Sequence, residues 1–257
     1  MRNFGLAFAA SFSFGLVGSA IAADMPLKAP AYQAPPAVYS WSGCYVGANV
    51  GGAWSHQSVG VSVPPISDQA PASASLDSSS VTGGPHAGCN WQFSPSWVLG
   101  IEGDWSFTSL DGTGSAPNLL RSGVPLNGGI TFGSDTKWLA SVRGRLGWVA
   151  MPNILLYATG GVAWNRTDYS GSDVLNGGCP NCGITSFSNT QTGWVAGVGG
   201  EWAPWSNNWI FRLEYLHYAF SGVSSTPPRP GFPAAPPTFV WSDLNIDEVR
   251  AGLSFKF

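Results

Sequence analysis

Four cysteines and three histidines are the side chains of this sequence with the widest chemical reach. Cys179-Pro180-Asn181-Cys182 has the two-residue spacing used by redox dithiols and by half of a zinc site. No alternation of strand and helix surrounds it, so the residues favour a disulfide that staples a loop over a redox centre. Cys44 and Cys89 each lie in a segment of alternating apolar and polar residues. They could bridge adjacent strands on a shared face, and an even count of cysteines fits two disulfides. A site holding all four would need distant parts of the chain to meet, so no metal ligands are expected. His56, His86 and His217 are dispersed, and no spacing picks out a nucleophile with its base. Neither catalytic nor cofactor-binding residues are therefore expected.

Charges give the stronger signal, because they recur at every second position. Glu102 and Asp104, Arg143 and Arg145, Glu201, Arg212 and Glu214, and Glu248, Arg250 and Lys256 all fall in segments whose other face is apolar. A period of two belongs to an extended strand, whose successive side chains point to opposite sides. Val249 to Phe257 shows it without a break: Val249, Ala251, Leu253, Phe255 and Phe257 share one face, while Arg250, Gly252, Ser254 and Lys256 share the other.

Eight such segments can be laid along the chain: Cys44–Trp54, Thr82–Phe93, Trp97–Phe107, Trp138–Val149, Leu155–Trp164, Thr192–Trp202, Trp209–Tyr218 and Ile246–Phe257. Their connections alternate. Ser94-Pro95-Ser96, Met151-Pro152-Asn153 and Ala203 to Asn208 are short, whereas 55–81, 108–137, 165–191 and 219–245 are long. An even number of strands with short turns at one end and long loops at the other predicts an all-β fold, an eight-stranded antiparallel up-and-down transmembrane β-barrel. Both termini then lie at the short-turn, periplasmic end. The loops, rich in Ser, Thr, Pro and Gly, are expected to be mobile and polar, with His56 in the first of them.

If charges avoid lipid, the ten named ones line the lumen, five acids against five bases. In eight strands they fill it rather than line a wide channel. The opposite parity then sends Trp97, Leu99, Ile101 and Trp105, Trp138, Val142, Leu146 and Trp148, and Trp194, Val198 and Trp202 outward. Trp138 and Trp148 stand ten residues apart on that face. At a tilt near 40° this spans about 25 Å, the height of a lipid-facing band between aromatic girdles.

Composition agrees. Only 10% of the 257 residues are charged, against roughly 25% in ordinary soluble domains, while Trp numbers 13. A mean hydropathy of +0.07 suits a barrel, half of whose strand residues are polar. Arg2, the apolar Phe4 to Gly18 and Ser19-Ala20-Ile21-Ala22 read as a cleaved export signal over 1–22, followed by a Pro-rich periplasmic segment over 23–42 and the barrel over 43–257. Without Arg2 the mature chain has 10 basic and 14 acidic residues, which gives no basic field for nucleic acid.

Trp41-Ser42-Gly43-Cys44-Tyr45-Val46-Gly47, Gly88-Cys89-Asn90-Trp91-Gln92, Tyr157-Ala158-Thr159-Gly160-Gly161-Val162-Ala163 and the terminal Phe257 resemble the small outer-membrane β-barrel family of alphaproteobacterial surface proteins. The resemblance implies an abundant, structural or porin-like barrel at the cell surface. It also makes Phe257 the signal read by the barrel assembly machinery, and the partners outer-membrane lipids and that machinery, with oligomeric state open. Two alternatives stay open beside it: a surface protein that binds haem through His56 and loop aromatics, or another ligand, and a lipid-modifying enzyme.

Overall fold

Cys44 stands opposite Cys89, Cys89 opposite Ile101, and the row of opposed residues runs on through Gly144, Gly160, Ala196, His217 and Asp247 to Trp54. One circuit of the sheet therefore returns to the first strand ten residues from where it left. This is an eight-stranded barrel with a shear of ten, a stagger that tilts the strands by about 40° from the axis. The computed structural model describes residues 39–62, 70–120, 122–123, 125–175, 184–204, 208–227 and 236–257. The export signal and most of the Pro-rich segment read from the sequence lie outside these residues, as do Cys179 and Cys182.

The strands are β1 (Gly43–Ser62), β2 (Ala72–Ser94), β3 (Trp97–Leu119), β4 (Pro125–Met151), β5 (Ile154–Leu175), β6 (Thr185–Trp202), β7 (Trp209–Phe220), β8 (Val223–Ser225), β9 (Thr238–Trp241) and β10 (Leu244–Lys256). All neighbours are antiparallel, and β10 pairs with both β7 and β1 to close the ring. The short β9 continues the seam above β10, pairing Val59 to Ser62 of β1 with Thr238 to Trp241, and β8 lies against it.

The strands run much further than the sequence pattern suggests. Most of 55–81, 108–137 and 165–191, expected as mobile loops, is paired sheet, and His56 sits within β1 opposite Asp77 of β2 rather than in a loop. The reason is an inversion of the pattern. Between the aromatic rows apolar residues point out and charges point in; beyond them Ser58, Ser73, Ser75 and Thr131 point out while Val59, Val61, Leu76, Ile130 and Phe132 point in. A strand that leaves lipid for water must exchange its faces, and the segments expected as polar loops form a water-solvated barrel wall.

The outward face inside the band is as the parity requires. Ile101, Val142, Val198 and Leu213 are exposed at its middle, with Trp97, Trp148, Trp202 and Trp209 toward the short turns and Trp54, Trp105 and Trp194 toward the long hairpins. Trp138 stacks on Trp105 with ring centroids 4.4 Å apart. In water this belt would be an aggregation surface; in a bilayer it is the solvent-facing side.

Inward glycines make room for large lumen side chains. A Cβ on Gly161 would lie 2.1 Å from the Val142 carbonyl oxygen and 2.7 Å from Arg143 Cα, and one on Gly88 2.5 Å from the Tyr45 hydroxyl. Outward Gly144 has its nearest neighbour 3.9 Å away.

Candidate functional site

The lumen is packed in layers, which can be read in order along β3: apolar Val98, then Glu102 and Asp104, then apolar Leu110, then Ala116. At the short-turn end Val98, Leu155, Ala203 and Ile210 surround Trp41, which is fully buried. Above the charges lie Leu139, Ala163, Val195, Leu216, Tyr218 and Ile246. A further cluster beyond the band joins Val59, Val61, Leu76, Ile130 and Phe132 to Tyr169, Phe239 and the fully buried Trp241.

Nine of the ten charges expected in the lumen come together there. Register explains the first contacts: Glu102 stands opposite Arg143, Glu201 opposite Arg212 and Glu214 opposite Arg250. Cross-strand neighbours on one face sit about 5 Å apart, close enough for each pair to meet. The other contacts run diagonally between adjacent strands or across the lumen. Arg143 donates to Glu102 at 2.6 Å, to Asp104 at 3.0 Å and to Glu214 at 2.9 Å. Arg145 donates to Glu201 at 2.5 Å and Arg212 to the same carboxylate at 2.8 Å, with Glu102 2.7 Å from Arg212. Arg250 binds Glu214 at 2.9 Å and Asp104 at 3.2 Å, with Glu248 more distant at 3.8 Å. Each of the nine residues is at most 7% exposed.

Lys256 does not join them. It lies at the short-turn mouth, its ammonium donating to the Ser40 carbonyl and standing 4.3 Å above the Tyr39 ring. The network is therefore five acids with four guanidinium groups, and arginine suits it because its planar fork serves two or three carboxylates at once.

Three tyrosines that the charge pattern does not single out complete the network. Tyr45 donates to Glu102 at 2.5 Å and also meets Arg145; Tyr157 donates to Glu214 at 3.1 Å and lies 3.9 Å under the Arg145 guanidinium; Tyr218 donates to Glu248 at 3.1 Å. All three share the parity of the charges, which was the signal for finding them. His86 sits on the inner face as its parity predicts, 2.7 Å from the Ser254 hydroxyl and 3.5 Å from Asn49. A serine beside a histidine resembles half of a hydrolytic site, but Ser254 and His86 are 1% and 2% exposed and lie beneath two apolar layers.

His56 and His217 are on the outer face, paired with Asp77 at 3.0 Å and with Asp247 at 2.7 Å. The three histidines do not converge. Cys44 and Cys89 form a disulfide between β1 and β2 on the outward face, near the carboxy terminus, where the Phe257 amide donates to the Cys44 carbonyl at 3.0 Å. Outside the band, burial followed by the Glu201 charge pushes the Tyr39 phenol up to about 12.

An apolar belt framed by aromatic rows around a closed sheet with a charged interior defines a β-barrel membrane protein. The chain belongs to the outer membrane protein beta-barrel domain family, whose model matches residues 20–257. It is 31% identical to the 31 kDa outer-membrane immunogenic proteins of Brucella melitensis and Brucella suis, over 96% of this chain and 98% of each relative. Among solved structures it is similar to the attachment invasion locus protein Ail of Yersinia pestis, at 14% identity, a TM-score of 0.37, and 84% and 99% of the two chains. It is also similar to the outer membrane protease OmpT of Escherichia coli, at 8% identity, a TM-score of 0.47, and 85% and 98%.

Proposed function

We propose that this chain is a closed, non-enzymatic structural barrel of the bacterial outer membrane that presents its long hairpins at the cell surface and does not conduct. The observation that carries this reading is the layering of the lumen. Nine ionisable side chains fill its cross-section, with a buried Trp41 layer on one side and two apolar layers, the second holding buried Trp241, on the other. An ion crossing would have to break charge-assisted hydrogen bonds and enter apolar packing, both costly in a low-dielectric interior. Both termini and the short turns face the periplasm in this reading, since the long polar extensions suit the exterior. Its partners are outer-membrane lipids and, during biogenesis, the barrel assembly machinery; a field of this charge attracts no nucleic acid.

The test is single-channel recording in a planar bilayer, with protein shown to be folded by its heat-dependent gel shift. A silent membrane is the expected result. Discrete current steps that change in Arg143→Ala and Arg145→Ala would overturn the closed barrel and make the lumen a real path.

A further inference from the structure

We infer that the Cys44–Cys89 disulfide is made before the barrel enters the membrane, by dithiol oxidation of the β1–β2 hairpin while it is still in water. Cys44 and Cys89 are directly opposed across β1 and β2 and project outward. Trp91 and Phe93 follow Cys89 on the same face toward the short turn, so the sulfurs lie on the lipid side of that aromatic row. Around them the outer surface is a shallow hollow walled by Val46, Ala87, Ile101, Val142 and the terminal Phe257. In the inserted barrel the pair therefore meets acyl chains.

Oxidation has requirements that this place does not meet. One thiol must lose its proton, and the thiolate must reach a sulfur of the oxidant's disulfide; a mixed disulfide forms and the second thiol displaces the oxidant. Overall the two cysteines give up two electrons and two protons, and a protein disulfide, the class of oxidant this needs, leaves as a dithiol. A thiolate facing lipid is disfavoured by its lost hydration, and a soluble oxidase cannot dock against acyl chains. The free hairpin meets every requirement. It is local in sequence, with the two cysteines 45 positions apart, and the register of β1 with β2 is what sets the two side chains opposite each other.

The order matters for closure. β1 uses one edge for β2 and the other for β10, with Tyr45 opposite Lys256 and the Phe257 amide bonded to Cys44. A bond that fixes β1 to β2 at its first residues presents the other edge in register for the last strand to zip onto.

The experiment uses the full mature chain carrying Cys179→Ser and Cys182→Ser, so that one bond is read. The oxidised protein is folded into phosphatidylcholine vesicles and treated with a charged phosphine reductant, and free thiols are counted by a maleimide-polymer gel shift. Reduction at least ~10-fold slower than for the same chain in urea is expected, since attack must come through lipid; equal rates would overturn the inference. In cells, chain accumulating after the assembly machinery is depleted should already carry the bond. Free thiols in that pool, with the bond present only in the membrane fraction, would overturn it as well.

Discussion

Arg143 and Glu214, 71 residues apart in sequence, meet at 2.9 Å across the lumen. Arg143 also holds Glu102 and Asp104, so three carboxylates depend on one guanidinium. Replacing it with Met removes a cation from an interior that already has more acids than bases. Leaving buried carboxylates uncompensated costs about 3–5 kcal/mol. Arg143→Met should lower the unfolding free energy read from urea titration of the barrel in micelles by that amount, and Arg143→Lys should recover only part of it, because an ammonium cannot serve three partners in a plane.

Much of this network is legible in the sequence, and the residues show why. Glu102 and Arg143 announce themselves because a charge in an otherwise apolar alternating segment has one side to go to. Which acid meets which base is not legible there: Arg143 to Glu214 depends on the stagger around the ring, which accumulates over eight pairings. Tyr45, Tyr157 and Tyr218 escape notice because a phenol is at home on either face of such a strand, so residue type alone does not sort it. The extension of β1 to Ser62 escapes because Val59 and Val61 are inward, whereas the inward residues earlier in β1 include Asn49, Ser55 and Gln57.

Trp41 precedes the first strand and yet is fully buried among Val98, Leu155 and Ile210. It belongs to the barrel and not to the leader. Trp41→Ala should lower thermal stability by about 3–5 kcal/mol through the cavity it leaves. The same variant should remain silent in a planar bilayer, since the ionic layer and both upper layers persist. Conductance in Trp41→Ala would mean that this indole is the gate.

Tyr39 packs edge-on to Trp41 with ring centroids 4.9 Å apart. Its phenol is held neutral to about 12 in the barrel, against 10.0 when unperturbed. A raised folded-state value adds stability that is complete below pH 10 and is lost as pH climbs through 12. Between those limits the midpoint of the heat-dependent gel shift should fall more steeply for the native chain than for Tyr39→Phe, which has no proton to lose. Equal slopes would show that Tyr39 makes no contribution to the alkaline transition.

Two glycines on neighbouring strands should respond oppositely to the same methyl group. On inward Gly161 a Cβ would meet the Val142 carbonyl oxygen at 2.1 Å, backbone that cannot swing aside. Outward Gly144 offers open space, its nearest neighbour 3.9 Å away. Gly161→Ala should destabilise by about 1–3 kcal/mol or more through overpacking, and Gly144→Ala should be neutral or stabilising by up to about 1 kcal/mol through the unfolded chain. Parallel refolding yields and urea midpoints decide it; a tolerated Gly161→Ala would mean that β5 can shift away from β4.

Val142 and Thr131 are both outward-facing residues of β4, eleven positions apart, and the inversion of the pattern between them fixes where lipid ends. Val142 is 47% exposed in the middle of the apolar belt, and a charge there must be dragged to an interface. Val142→Lys should therefore cost about 2–4 kcal/mol in vesicles. Thr131 lies on the extension, among outward-facing Ser and Thr, so Thr131→Lys should change stability by no more than about 0.5 kcal/mol. The two variants need the same measurement, unfolding free energy in bilayers of one thickness, and their difference reads the position of the boundary. If Thr131→Lys proved as costly as Val142→Lys, the band would extend over the hairpins, and the apolar cluster around Trp241 would be a core inside the membrane rather than above it.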